Sequence, residues 1–241
     1  MASIEAPAKL TRTLRITGVR ADGYHLIDAE MVTLELADLL DIDPTRSGLD
    51  ARGPYANGVP LDDTNLVAKA LALTGRRAHI TLHKHIPHGG GLGGGSADAA
   101  AVLRWAGFDD LLAASRLGAD VPFCLVGGRG QVRGIGEQIE ALAFVPLDIT
   151  LVIPPLTVST PAAYRAWDDL GGPTAHGPND LEPAAIAVVP ELAVWRDRIG
   201  DIVGAAPVLA GSGATWFVEG HHPDLTTLEP AARVVFTRTR P

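Results

Sequence analysis

Apolar and polar residues alternate in two early runs, Leu14-Arg15-Ile16-Thr17-Gly18 and Ala29-Glu30-Met31-Val32-Thr33-Leu34-Glu35-Leu36, which read as strands on either side of the turn-rich Arg20-Ala21-Asp22-Gly23-Tyr24-His25. The segment from Asp43 to Asp63, rich in Pro, Gly and Asp, reads as loops around one weak strand. Asn65 to Thr74 has helical character and is closed by Gly75, a residue suited to the position after a helix. His79 to Ile86 alternates again, as a half-buried antiparallel strand does, and a glycine loop and an Ala-rich helix follow, the helix starting near Ser96 and ending at Gly107. Gly127-Gly128 and Gly134-Ile135-Gly136 punctuate two short strands. Ile149-Thr150-Leu151-Val152-Ile153 is a β-branched strand stopped by Pro154-Pro155. Helical stretches around Ala162 to Trp167 and Pro190 to Ile199 precede a last glycine turn, Ala210 to Thr215, and the strand Trp216-Phe217-Val218. Hairpins mixed with helices predict an α+β chain rather than a doubly wound parallel sheet, with a domain junction just before Ile149.

The glycine loop carries the most chemistry. Gly89 to Gly95 holds six glycines in seven positions, each of which loses much backbone entropy on folding and buries no side chain. Backbone amides without Cβ atoms can converge on one centre, and the helix that follows adds the positive end of its dipole, so the segment predicts an anion site suited to phosphate. No Lys follows the glycines, which argues against a Walker-type loop. Gly89, Gly91 and Gly94 satisfy G-x-G-x-x-G, with Asp109 and Asp110 beyond, but a dinucleotide loop should follow a strand buried on both faces, and the preceding strand alternates. Lys84 shares the apolar face of that strand with Ile80, Leu82 and Ile86; it calls either for an anion or for a path by which its stem reaches solvent. His79, His83 and His85 on the other face, with His88 beyond, read as a solvated face rather than a metal site, because no Cys or acidic residue stands at ligand spacing.

Composition narrows the partners. The 241 residues suffice for one large domain or two modest ones, and 28 acidic against 20 basic residues give a net charge of −8 without any basic block. Nucleic acid and anionic membranes are therefore not expected as partners. The single cysteine, Cys124, lies in the apolar run Val121-Pro122-Phe123-Cys124-Leu125-Val126 and is expected to be a core residue in a reducing compartment. With no apolar run of membrane-spanning length and no signal-like start at Met1-Ala2-Ser3-Ile4-Glu5, a cytoplasmic protein is expected.

Three motifs in order, Ala6-Pro7-Ala8-Lys9-Leu10, the loop and helix from Pro87 to Ala101, and Gly211-Ser212-Gly213-Ala214-Thr215, resemble those of the GHMP small-molecule kinases. Further stretches resemble the branch of that family acting on 4-diphosphocytidyl-2-C-methyl-D-erythritol: Arg20 to His25, Asn65-Leu66-Val67, Leu117 to Phe123, Ser159-Thr160-Pro161 and Asn179-Asp180-Leu181-Glu182-Pro183. The resemblance implies a two-domain GHMP kinase fold, with a ribosomal protein S5 domain 2-like, ATP-binding domain over residues 1–147 and a ferredoxin-like domain over 148–241. It implies ATP-dependent phosphorylation of the substrate's 2-hydroxyl, in the non-mevalonate route to isoprenoid precursors, by a monomer or homodimer acting on a small molecule.

Read through the resemblance, Asp120 takes the proton of the attacking hydroxyl, and Lys9 pairs with that carboxylate and stabilises developing negative charge. ATP is assigned to Asn65, Pro87, Gly89, Gly90, Gly91, Leu92, Gly93, Gly94, Gly95 and Ser96, although an Asn before an apolar helix is equally a cap. Substrate is assigned to Thr11, Tyr24, His25, Lys84, Tyr164, Gly211, Ser212 and Gly213, with Tyr24 stacking on cytosine, His25 reading its edge and Tyr164 as the opposite wall. Mg2+ is implied by the phosphate chemistry and not by any carboxylate cage in the sequence. The chain departs from the family pattern at Thr11, where Asn is usual, and at Ala97 and Asp98, where Ser-Asn is usual. Asp98 would repel phosphate if it faced the site, but two residues along a helix it points elsewhere. Alternative readings are a GHMP kinase for homoserine or a mevalonate-type alcohol, a nucleotide-binding homologue without turnover, and more remotely a dinucleotide oxidoreductase.

Overall fold

A computed structural model describes residues 2–241. The first two strands are far longer than the alternation predicts. β1 (Ala2–Val19) and β2 (His25–Asp43) form one antiparallel hairpin, running in register from Ala2 opposite Ile42 to Val19 opposite His25. Register shifts between Pro7 and Lys9, Thr11 and Thr13, and Ile16 and Gly18 break the alternation, which is why only fragments of these strands are legible in sequence. The first two shifts bracket Lys9 and Thr11 and re-aim them.

The other edge of β2 receives several partners in turn. β4 (His79–His83) pairs antiparallel with its end at Leu39–Asp43, and β3 (Gly48–Arg52) pairs parallel with β4. The predicted strand from His79 thus has one antiparallel and one parallel neighbour, and it stops at His83. β5 (Arg129–Gly134) pairs with Ile27–Val32 and carries β6 (Gln138–Ala141) on its far side. The last strand, β10 (Arg233–Arg240), meets β2 at Leu34 and Thr33, then runs antiparallel to β7 (Asp148–Ile153), followed by β9 (Trp216–Glu219) and β8 (Val208–Leu209). One path of hydrogen-bonded strands therefore connects the segments on both sides of Leu147.

Helix α1 (Leu66–Thr74) is capped by Asn65, whose Oδ1 accepts from the Val67 N–H at 2.8 Å, and is closed by Gly75 in the left-handed region. α2 (Gly94–Ala106) begins two residues before the predicted Ser96, at Gly94, and ends at Gly107 as predicted. Its alanines explain its place: Ala97 and Ala99 to Leu103 are buried, and small side chains let one helix pack against β1, β2 and α1 at once. α3 (Leu111–Ser115) and α4 (Val121–Val126) return the chain to β5. After β7 come α5 (Thr160–Asp169), α6 (Glu182–Val188) and α7 (Glu191–Val203); α5 and α7 extend the helical stretches read from sequence, whereas α6 is not legible there.

Two apolar clusters straddle the chain's midpoint. Leu10, Leu34, Ile86 and Leu92 pack with Leu151, Ala210 and Phe217, while Leu14, Ile27 and Met31 pack with Trp167, Leu181 and Ala184. This continuity holds the N-terminal strands against the C-terminal loops. Among the described residues no helix is long and apolar enough to cross a membrane.

Candidate functional site

A cleft of about 970 Å³ opens where β1, the glycine loop, α2, α4, α5 and the last glycine turn converge. Lys9, Thr11, Tyr24, His25, Asn65, Lys84, Pro87, the loop from Gly89 to Ser96, Asp120, Tyr164, Gly211 and Ser212 all line it. Gly213 stands apart from this lining: it packs behind the turn, where an added Cβ would lie 3.1 Å from Leu209 Cδ1.

Lys9 is 5% exposed and comes from the bulged part of β1. Its Nζ lies 3.1 Å from Asp120 Oδ2 and donates to Thr11 Oγ1 at 3.1 Å. Thr11 therefore acts first as a partner of Lys9. Asp120 occupies the N-cap position of α4, yet its carboxylate caps nothing, and its side chain is 30% exposed into the cleft. An acid at a cap position that forgoes the cap is free for another task.

The glycine loop is held by close backbone approach. At Gly91 (φ +75°) an added Cβ would lie 2.0 Å from the carbonyl oxygen of Ala210, and at Gly93 (φ +68°) it would lie 2.7 Å from Lys9 Cγ. The Lys9 N–H donates to the Leu92 carbonyl, so loop and lysine are placed together. Gly93 is the N-cap of α2 and has no side chain to offer. The first amide to bond back within the helix is Ala97, to the Gly93 carbonyl at 2.8 Å, which leaves the N–H groups of Gly94, Gly95 and Ser96 as the unpaired first turn. With no acidic residue in that turn, these donors and the helix dipole fit an anion.

Lys84 neither faces the cleft freely nor reaches solvent. It is 4% exposed, and its ammonium pairs with the buried carboxylates of Asp38 and Asp98. Burial pulls its pKa down, but the two carboxylates outweigh burial and raise it. Asp98 is buried beside Lys84, and both border the cleft; burial, with the charge of Asp38 added and Lys84 opposing, pushes its carboxyl up to about 7. Asn65 serves as the α1 cap, its Nδ2 donating to the Pro60 carbonyl, while still lining the cleft.

At the other end of the cleft Tyr24 is 59% exposed, with the Arg20 guanidinium 5.9 Å from its ring centre. The His25 ring lies 4.6 Å from that of Tyr164 and edge-on to Trp167 at 5.5 Å, and its Nε2 is 2.8 Å from Asp168 Oδ1. Burial, and secondarily the charge of Asp120, push the Tyr164 phenol up. Trp167 and Asp168 are absent from the sequence candidates; their signal was the spacing Tyr164, Trp167, Asp168, three and four residues apart on one helix face. Gly211 (φ +58°) lies against Lys9, and its carbonyl accepts from Asn179 Nδ2 at 2.6 Å, while Ser212 Oγ is 2.8 Å from Thr160 Oγ1. His79 and His83 pair with Asp50 and Asp41, and among the described residues no three His, Cys, Asp or Glu side chains are grouped as a metal cage.

Residues 65–128 match the model of the GHMP kinases N terminal domain. The 4-diphosphocytidyl-2-C-methyl-D-erythritol kinase of Paracoccus denitrificans is 42% identical over 235 residues, covering 88% of this chain and 84% of the relative. That of Dinoroseobacter shibae is 42% identical over 241 residues, covering 88% and 83%. A crystal structure of 4-(cytidine 5'-diphospho)-2C-methyl-D-erythritol kinase superposes with a TM-score of 0.80 at 33% identity, covering 100% of both chains. The Methanococcus jannaschii mevalonate kinase, at 14% identity and a TM-score of 0.62 over 100% of this chain and 98% of that one, shares the fold. With the Lys9–Asp120 pair, the glycine loop and the last glycine turn gathered at one cleft, the chain belongs to the 4-diphosphocytidyl-2-C-methyl-D-erythritol kinase family of the GHMP kinases.

Proposed function

We propose that this protein transfers the γ-phosphoryl group of ATP to the 2-hydroxyl of 4-diphosphocytidyl-2-C-methyl-D-erythritol, a step in the non-mevalonate synthesis of isoprenoid precursors. The observation that carries the reading is the pairing of Lys9 with the uncapping Asp120 beside the unpaired first turn of α2. ATP enters as its Mg2+ complex, the metal being carried on phosphate oxygens as part of the substrate. The amides of Gly94 to Ser96 hold the phosphates in place of a P-loop lysine. Asp120 accepts the proton of the 2-hydroxyl as that oxygen bonds to the γ-phosphorus; the bond to the β–γ bridging oxygen breaks and ADP leaves with its electrons. Lys9, anchored by Thr11, faces the charge that develops and keeps Asp120 in place.

The cytidine end falls to Tyr24, His25 and Tyr164. Asp168 and the Tyr164 and Trp167 rings orient the His25 imidazole, which supports a role in reading a base edge, and exposed Tyr24 supplies a free aromatic face. Residues 1–147 are read as the ribosomal protein S5 domain 2-like part and 148–241 as the ferredoxin-like part, in a cytoplasmic enzyme. The test is ADP release with Mg-ATP and the cytidylated substrate, the same diol phosphate without cytidine, homoserine or mevalonate. Release confined to the cytidylated compound is expected. Release with another alcohol would transfer the chemistry to a different substrate, and ATP binding without release with any of them would make the chain a non-catalytic homologue.

A further inference from the structure

The phosphate loop is tied at both ends to one buried cluster. Asp38, on β2, accepts through Oδ1 from the N–H groups of His85 and Ile86, the last at 2.8 Å, immediately before the loop begins at Pro87. Its Oδ2 pairs with Lys84, and Lys84 in turn pairs with Asp98 one turn into α2, immediately after the loop ends. An added Cβ at Gly94 would lie 3.5 Å from Asp38 Oδ2, so the cluster sits directly beneath the start of α2. The side chains of Asp38, Lys84 and Asp98 are 0%, 5% and 3% exposed.

Such a cluster is a poor device for stability alone. Two carboxyl groups share one ammonium away from water, and Asp98 Oδ1 has no hydrogen-bond partner among the described residues, whereas apolar side chains of similar volume would avoid both costs. Its connections, however, fix the distance between the residues entering the loop and the first turn of α2, and that distance sets where the amides of Gly94 to Ser96 point. We propose that Asp98 and Asp38, acting through Lys84, are positioning residues for the nucleotide phosphates, so that a change at Asp98 weakens MgATP binding far more than binding of the alcohol. This rests on the kinase reading given above.

The test is titration with Mg2+ and N-methylanthraniloyl ATP in the absence of the alcohol, followed by steady-state kinetics in both substrates, on the wild type, Asp98→Ala and Asp98→Asn. Asp98→Ala is expected to weaken nucleotide binding and raise the KM for MgATP by at least about tenfold, with the KM for the alcohol within about twofold. Asp98→Asn keeps an oxygen for Lys84 at the same place and is expected to recover nucleotide binding to within about threefold of the wild type. Asp98→Ser, too short to reach Lys84, is read the same way should the alanine variant not fold. Unchanged nucleotide binding in the folded alanine or serine variant, equal shifts in both KM values, or an asparagine variant as weak as alanine would each overturn the positioning role. A wild-type protein that does not bind the analogue at all would instead remove the kinase reading.

Discussion

Gly91→Ala is the sharpest probe of the site's geometry, because the added methyl would lie 2.0 Å from the Ala210 carbonyl oxygen. Carbon and oxygen in contact settle near about 3.3 Å, so the glycine loop and the Ala210 turn must part by about 1.3 Å. Both segments line the cleft's walls or back them, and a shift of about 1 Å at a phosphoryl-transfer site is enough to cost about a hundredfold in rate. The positive φ of +75° adds a backbone cost of about 1–2 kcal/mol that has nothing to do with the site. Gly75→Ala isolates that second term: φ there is +64° and nothing lies within 4 Å of the added methyl. Thermal unfolding and ADP-release kinetics on both variants separate the two effects. Both should lose a few degrees of Tm, at about 2–4 °C per kcal/mol for a chain of this size. Only Gly91→Ala should lose kcat/KM, by about a hundredfold. If Gly91→Ala keeps kcat/KM within about threefold of wild type while its Tm falls no further than that of Gly75→Ala, the contact between the two loops does not set the reacting geometry.

Three further outcomes follow from individual residues. Asp120→Asn keeps the shape of the side chain and should bind both substrates while kcat falls by about 10²–10⁴, as expected for loss of a general base; single-turnover ADP release checks this, and near-normal turnover would remove Asp120 from the chemistry. For Asp98, held up at about 7 by burial, the folded state keeps a proton that the unfolded chain loses near pH 4, so this group's contribution to stability falls as pH rises through that window. Urea midpoints of Asp98→Asn relative to wild type should therefore move in the variant's favour between about pH 4 and 7 and level off above; a pH-independent difference would contradict the proton assignment. Burial pushes the Cys124 thiol up to about 12, so a thiol reagent at neutral pH should label it only after denaturation, and stoichiometric labelling of the native protein would show the helix to be open.

Features that depend on near neighbours are legible in the amino-acid order. Asn65 and Gly75 bracket α1 because a side-chain oxygen and a residue free of Cβ meet the unpaired groups at a helix's two ends, and both needs are local. The glycine loop stood out in the sequence as a segment of close backbone approach, and at Gly91 and Gly93 the structure leaves no room for a Cβ. Other features depend on contacts between distant segments. The lengths of β1 and β2 are set by cross-strand pairing that tolerates three register shifts, and such shifts erase the alternation from which strands are read. Asp98 within an Ala-rich helix gives no sign that it is buried until β2 and the end of β4 bring Asp38 and Lys84 to it. The resemblance paired Lys9 with Asp120, but it is the bulge in β1 that delivers Lys9 to that carboxylate, and His25 meets Tyr164 and Asp168 because apolar clusters built from both halves of the chain close the cleft between them. Backbone conformation is decided within a few residues, whereas the charge, burial and partners of an ionisable side chain are properties of whatever the fold places beside it.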